Sequence, residues 1–215
     1  RLANTVMNIG IVFHAQGDTA EARRHFEQAQ SLRGSLLDRH PTDPKLLRDL
    51  AKADYNLGNL LYDTQEHAAS QVRFQAAAEG FERLLPIQSA IEDRYHLSLC
   101  HDRLADLETE PDRKLGRWQV ALSGLEQLAM QNPDVDRFRA ASAAILIEVG
   151  RMELSRENVP AAQAAFDRAS RLLSQLAAAD AAPAYRRDLA TAWQGLAASV
   201  LAANPQQARD YLTKS

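Results

Sequence analysis

The sequence predicts an all-α protein assembled from repeated antiparallel helix pairs. Apolar residues recur three and four positions apart almost throughout the 215 residues, which is the period of an amphipathic helix. Hairpin turns of the Asn-Gly or Asp-Gly type are absent, and no segment alternates β-branched and aromatic residues as a strand does. Residue classes also return in register at intervals of 44 to 48 positions, which is typical of stacked helical repeats.

Capping residues and prolines mark the expected helix boundaries. Asp18 followed by Glu21 predicts a capping box, and Gly17 before it can end the preceding helix in a left-handed conformation. The other boundaries carry a proline, in some cases after a capping side chain: Asp43-Pro44, Pro111, Asn132-Pro133, Pro160, Pro183 and Asn204-Pro205. Together these signals predict about ten helices of roughly fifteen to twenty residues.

The repeat is clearest in the second helix of each pair, where one aromatic residue recurs. These residues are Phe26, Phe74, Trp118, Phe166 and Tyr211. An alanine follows three residues after each of the first four. The first helices repeat a small residue, at Gly10, Gly58, Ala105, Gly150 and Ala197. We expect the rings to occupy equivalent buried positions, and the small residues to let the two helices of a pair approach closely.

The spacing of these residues resembles the tetratricopeptide repeat (TPR), whose usual unit has about 34 residues. Gly10, Ala22, Phe26 and Ala29 fit the pattern in the first repeat, and Trp193-Gln194-Gly195-Leu196-Ala197 fits its opening in the fifth. The resemblance implies a right-handed superhelical solenoid that occupies residues 1–215 as a single repeat domain. Its repeats cover about 1–44, 45–92, 93–136, 137–184 and 185–215, the last one truncated.

Short phrases suggest a second, narrower resemblance. Leu47-Arg48-Asp49-Leu50-Ala51 returns as Arg186-Arg187-Asp188-Leu189-Ala190. Repeats of this length, with the opening Tyr185-Arg186-Arg187-Asp188-Leu189-Ala190 and the core Asn56-Leu57-Gly58, look like the tails of some bacterial serine/threonine protein kinases. This resemblance implies a regulatory or substrate-recruiting tail of a larger enzyme, and the start without methionine fits a piece of a longer protein. The chain lacks the glycine-rich loop and the His-Arg-Asp and Asp-Phe-Gly motifs of kinases, so we predict no phosphate transfer by this segment.

Composition argues against several other functions. The net charge is −3, with 25 basic against 28 acidic residues, so no nucleic-acid partner is predicted. No apolar run approaches the length of a membrane span, and no membrane contact is predicted. His96, Cys100 and His101 lie close together, but further ligands for a metal are not evident. Cys100, the only cysteine, is therefore expected to be a buried hydrophobe, and we predict no cofactor, metal or catalytic residue.

The TPR resemblance implies that a partner peptide or helix binds in a concave groove formed by the first helices. Carrying the positions over by register gives these groove candidates: Met7, Ile11, His14, Lys52, Tyr55, Asn59, Tyr62, Asp102, Asp106, Ile147 and Arg151. The candidates are apolar at one end and acidic towards the middle. A partner segment with hydrophobic side chains followed by a basic residue would complement them.

Two alternatives remain open at the groove. Tyr55 and Tyr62 are suited to anchor a partner, but their rings can instead pack between helices and expose only their hydroxyl groups. One TPR subgroup holds a peptide's terminal carboxylate, and Asn56 and Arg103 fall at two of the required positions. Met7, Ile11 and Leu99 stand where the other polar or basic contacts belong, so carboxylate binding is not predicted. Besides the scaffold and the enzyme tail, a third function stays open: self-association of the chain through the last helix.

Overall fold

The computed structural model describes residues 2–88, 90–178, 183–201 and 203–214, and within them it contains ten α-helices and no strand. The end residues of the predicted repeats, Arg1 and Ser215, lie outside the described residues. The helices are α1 (Leu2–Ala15), α2 (Thr19–Arg39), α3 (Pro44–Asp63), α4 (His67–Gln88), α5 (Ile91–Asp106), α6 (Pro111–Gln131), α7 (Asp136–Ser155), α8 (Val159–Ala178), α9 (Pro183–Val200) and α10 (Pro205–Leu212). The chain divides into two compact units, residues 1–117 and 118–215.

Capping side chains set the helix starts as the sequence predicts. The Asp18 carboxylate accepts a hydrogen bond of 3.1 Å from the Glu21 amide, and Gly17 before it adopts a left-handed φ of 80°. Asp43 accepts from the amides of the first turn of α3, and Asn204 accepts from the first turn of α10. One helix is much shorter than predicted: α10 has only 8 residues.

In the first unit, consecutive helices from α1 to α5 pack against one another, and the repeated rings lie inside. Phe26 and Phe74 are both fully buried. Each ring occupies the space beside the small residue of its own first helix. A Cβ atom on Gly10 would lie 2.6 Å from Cδ1 of Phe26, and one on Gly58 would lie 2.8 Å from Cε1 of Phe74. The glycines therefore permit the close approach that the repeat pattern predicted.

The second unit repeats this arrangement. Helices α7, α8, α9 and α10 pack consecutively, and Trp118 and Phe166 are buried. The Phe166 ring lies against both Gly150 of α7 and Gly195 of α9, so neither position has room for a Cβ atom. Tyr211 is only partly buried, against a small cluster that includes Ala208.

These observations confirm the all-α helical repeat. The rings of Phe26, Phe74, Trp118 and Phe166 are all buried, and the three phenylalanines each lie against the glycine of their own first helix. The right-handed superhelix and the single domain over residues 1–215 stay predictions.

Candidate partner-binding groove

Three successive first helices of the first unit line one open cleft of about 380 Å³. We call this cleft the groove. Its lining residues are Ile11 and His14 from α1, Phe26 from α2, Tyr55, Asn56, Asn59 and Asp63 from α3, and Arg103 from α5. Because residues three and four apart share one face of a helix, the turn spacing within α1 and α3 places these side chains on the same side. Phe26 also lines the groove, although it is fully buried.

Polar contacts join the two walls formed by α1 and α3. His14 Nε2 lies 3.1 Å from Asp63 Oδ2, and both side chains remain partly exposed. Asn56 Nδ2 donates to the sulfur of Met7 at 3.5 Å. The groove therefore combines an exposed apolar side chain, Ile11, with several hydrogen-bonding groups.

The Tyr55 ring packs into the core of the first unit, while its hydroxyl group belongs to the groove. The ring centroid lies 5.7 Å from that of Phe74 and 5.7 Å from that of His96. Burial raises the pKa of Tyr55, although hydrogen bonds with Asn59 and Arg103 act in the opposite direction. The hydroxyl group of Tyr55 therefore interacts with Asn59 and Arg103, which both line the groove.

Arg103 lies between the groove and an acidic cluster formed by Asp102 and Asp106. Its guanidinium carbon lies 5.4 Å from the centre of the Tyr62 ring, and Nη1 lies 3.4 Å from Oδ2 of Asp106. Burial alone would lower the pKa of Arg103, but Tyr55 and the two aspartates outweigh it and raise the pKa. Arg103 therefore stays charged.

The buried surroundings of Asp106 shift the pKa of its carboxyl group. Burial raises the pKa of Asp106, and the charges of Arg103 and Lys114 only partly offset this effect. Burial also raises the pKa of Tyr62, and the negative charge of Asp106 adds to the shift. A cationic side chain placed here would favour the ionised form of Asp106 and would itself be stabilised.

The predicted site residues separate into three groups in the structure. Ile11, His14, Tyr55 and Asn59 line the groove together, and Tyr62, Asp102 and Asp106 surround Arg103 beside it. Lys52 is partly buried on α3, where its charge lowers the pKa of His96 in addition to the larger effect of burial.

The remaining candidates do not line this groove. Met7 is only 4% exposed and Ile147, in the second unit, only 5%, so neither offers much surface. Arg151 is exposed and pairs with Glu148 on its own helix at 2.5 Å. Asp63 is a lining residue that the sequence analysis missed, although its position four residues after Asn59 was a usable signal.

His96 and His101, near Cys100, each contact other residues of the chain. They do not surround a shared position where a metal ion could bind. Cys100 is fully buried, and burial raises the pKa of its thiol. His96 stacks on Phe81 and its Nδ1 lies 2.7 Å from the Glu92 carbonyl oxygen, whereas His101 Nε2 lies 3.9 Å from a carboxylate oxygen of Glu82. Among the described residues, no three His, Cys, Asp or Glu side chains are grouped to hold a metal ion.

The second unit contains a separate cleft of about 450 Å³ on α6, α7 and α8. Its lining residues are Glu126, Ala129, Met130, Arg139, Ser142, Arg168, Arg171 and Leu172. Each of the three arginines already pairs with an acid of the chain: Arg139 with Asp136, Arg168 with Glu126 and Arg171 with Asp167. The charge of this cleft is therefore largely compensated. Within the described helices, none is both long and apolar enough to cross a membrane.

No protein-family model and no curated protein matches the chain, but solved structures share its fold. BtubC from P. vanneervenii is 19% identical, with 99% of this chain and 75% of BtubC covered and a TM-score of 0.61. The assembly chaperone of RpL4, Acl4 (residues 1–338), is 14% identical, with 99% and 73% covered and a TM-score of 0.65. A thermophilic TPR protein in Thermus thermophilus is 20% identical, with 99% and 98% covered and a TM-score of 0.46.

At these identities the likeness concerns the fold alone. The chain has an all-α helical repeat fold, which it shares with BtubC and Acl4.

Proposed function

We propose that this chain is a non-catalytic scaffold that binds a peptide or helical segment of a partner protein in the groove. The observation that supports this function best is the convergence of three first helices on one cleft. Ile11 from α1, Asn59 from α3 and Arg103 from α5 all line it. Repeat proteins bind along such surfaces because each repeat adds side chains to the same face.

The chemistry of the groove favours a partner with an apolar side chain followed by a basic one. Ile11 is 46% exposed at one wall and provides an apolar contact. Asp102 and Asp106 lie on α5 next to Arg103, and a lysine or arginine of the partner would complement them. The hydroxyl group of Tyr55 and the amide of Asn59 provide hydrogen bonds between the two ends.

To test this proposal, peptides are selected from a random display library against the purified chain. The binding of the selected peptides is then measured by fluorescence anisotropy. We expect selected peptides to place a basic residue after hydrophobic ones. Ile11→Asp should weaken their binding about tenfold or more, because it puts a charge at the apolar contact. Tyr55→Phe removes only the hydroxyl group and leaves the packed ring in place. Asp106→Asn should reduce both the affinity and its dependence on salt.

Matched controls separate the groove from the rest of the surface. Val72, which is 61% exposed on α4, is replaced by Asp as the control for Ile11, and exposed Asp38 of α2 is replaced by Asn as the control for Asp106. All variants should melt like the wild type. Peptides that bind the groove variants and the wild type equally, or that respond to Val72→Asp instead, would move the binding site elsewhere.

The function as a regulatory or substrate-recruiting tail of a larger enzyme stays a prediction, because it rests only on the repeat length and on short phrases of the sequence. Such a tail would also have to recognise a protein segment. The peptide selection therefore tests the binding that both functions require, and it does not distinguish between them.

A further inference from the structure

The second unit contains a cleft that the proposed function does not use. It has a volume of about 450 Å³ and is lined by α6, α7 and α8. Most of its charged lining residues are arginines, and we therefore call it the arginine cleft. The lining residues are Glu126, Ala129, Met130, Arg139, Ser142, Arg168, Arg171 and Leu172.

The arginine cleft lies inside the repeat array. Helix α6 is the second helix of the third predicted repeat, and α8 is the second helix of the fourth. Helix α9 packs against both α7 and α8, and α10 packs against α9. Both repeats that form the cleft are therefore present and a further helix pair follows them, so the exposure of the cleft does not come from a missing neighbouring helix.

One part of the cleft is apolar. Ala129 and Met130 of α6 and Leu172 of α8 line it, and Met130 is 77% exposed. A methionine side chain is unbranched and flexible, so it adapts to the shape of an apolar group placed against it. Ser142 of α7 is only 1% exposed, and its hydroxyl group already donates to the Phe138 carbonyl oxygen at 2.9 Å. The cleft therefore offers an apolar contact, and its recognition of polar groups depends on the arginines.

The pairs that compensate the arginines are weak and leave donors unused. The acid paired with Arg168 is Glu126, which also lines the cleft, whereas Asp167, paired with Arg171, does not line it. Both pairs are exposed to solvent, and exposed pairs contribute little to stability. A guanidinium group has five N–H donors, so an arginine bonded to one carboxylate can bind a second.

The third arginine, Arg139, has an unsatisfied donor. Its Nη2 donates to Oδ1 of Asp136, which does not line the cleft. Its Nε is buried and has no hydrogen-bond partner among the described residues. A buried donor without an acceptor is unfavourable. A carboxylate that binds a guanidinium group side-on accepts from two of its nitrogens at once, and such an acceptor at the Nε edge would satisfy Arg139.

We propose that the arginine cleft binds a segment of a partner protein in which acidic residues flank a large apolar side chain. The apolar side chain contacts Met130 and Leu172, and the carboxylates bind the arginines. Complementary charge of this kind selects acidic segments and disfavours basic ones. The inference does not rest on the proposed function, because the groove belongs to the first unit and its acidic side favours a basic residue of the partner.

Two display libraries test this preference on the purified chain. Both contain short peptides of leucine, methionine, phenylalanine, alanine and glycine. One library adds aspartate and glutamate, and the other adds lysine and arginine. We expect the acidic library to yield peptides with an apolar residue between acids, and their binding, measured by fluorescence anisotropy, should weaken as salt is added. An acidic library that yields no binding peptide would overturn the proposal.

Variants that melt like the wild type locate the site. Arg168→Gln/Arg171→Gln should weaken the binding of acidic peptides about tenfold or more, because it removes two carboxylate-binding groups. Arg151→Gln/Arg187→Gln makes the same charge change at exposed positions outside the cleft and should have little effect. Ile11→Asp, in the groove, should leave these peptides unaffected, which separates this test from that of the proposed function. Unchanged binding to the cleft variant, equal losses in both double variants or a loss with Ile11→Asp would overturn the proposal.

Oxidation by hydrogen peroxide, followed by mass spectrometry, shows what covers the cleft. Met130 is 77% exposed, and Met7, which is 4% exposed, is the slow reference. In the free chain Met130 should oxidise much faster than Met7 at every protein concentration, and a selected acidic peptide should slow its oxidation. Protection of Met130 in the free chain would assign the cleft to a segment of the same chain, and protection that grows with concentration would assign it to a second copy. Either result would overturn the assignment to a partner protein.

Discussion

Arg48 of α3 and Asp93 of α5 form a two-point ion pair in the interior of the first unit. Arg48 Nε donates to Oδ1 of Asp93 at 2.6 Å, and Nη2 donates to Oδ2 at 2.8 Å. Asp93 is completely buried, and its Oδ2 also accepts from the Ala90 amide at 3.3 Å. One carboxylate therefore joins two first helices and caps the start of α5.

Asp93→Ala should destabilise the protein strongly. The substitution leaves the partly buried Arg48 guanidinium without its carboxylate partner and the amide of Ala90 without its acceptor, and breaking a fully buried pair sets an upper bound of about 3–5 kcal/mol on the cost. Urea unfolding followed by circular dichroism measures the loss. Glu126→Ala, which breaks the exposed pair with Arg168, is the control and should change stability little. Similar losses in both variants would contradict a special role for the buried pair.

Gly58→Ala should destabilise the chain although alanine is the better helix former. The new Cβ atom would lie 2.8 Å from Cε1 of Phe74, so the ring must move, and such overpacking costs about 1–3 kcal/mol. Gly34→Ala, within α2, is the matched control because an added Cβ there meets nothing within 4 Å. It should gain up to about 1 kcal/mol from helix propensity. Thermal melts with shifts of the same sign for both variants would argue against the close contact.

Phe74→Ala should lose about 3–5 kcal/mol, because it removes a fully buried ring from the centre of the first unit. The double variant Gly58→Ala/Phe74→Ala adds a further test. Without the ring the new methyl group has room, so Gly58→Ala should be neutral or stabilising in that background. An equal penalty in both backgrounds would mean that Phe74 is not what the methyl group meets.

The sequence predicted the repeated rings and glycines well because both follow from a regular period. A residue such as Phe74 recurs in register with Phe26, and a packed core is required at that position in every repeat. The Arg48–Asp93 pair was not predicted, since its members are 45 residues apart and belong to different helices. The spacing of residues within one helix does not indicate an ion-pair partner on another helix.

The groove was predicted only in part, for a related reason. Helical spacing correctly grouped Ile11 with His14 and Tyr55 with Asn59, because it defines the face of each helix. It does not define how deeply each position on that face is buried. Met7 therefore falls in the core although it lies on the groove side of the pattern. How deeply a side chain is buried depends on how closely the neighbouring helices approach.

His96 should make a contribution to the stability of the first unit that is lost on mild acidification, because it is buried in its neutral form. Burial lowers the pKa of His96, and the charge of Lys52 adds to this effect. The folded pKa thus lies below the ordinary 6.5, so the unfolded chain binds a proton more readily than the folded one. The stabilising contribution is complete above pH 6.5 and is lost as the pH falls through the lower, folded pKa.

His96→Phe isolates this contribution, since phenylalanine can keep the stacking contact with Phe81, whose ring centroid lies 5.4 Å from that of His96, and does not titrate. Between about pH 7.5 and pH 5.5, the wild type should lose more unfolding free energy than His96→Phe, as measured by urea titration at each pH. Comparing the two proteins cancels the opposite contribution of Asp54 and Asp106, whose pKa values burial raises. The control is His40→Phe, at an exposed position after α2, which should follow the wild type. If His96→Phe retains the full acid sensitivity of the wild type, the imidazole of His96 is not its source.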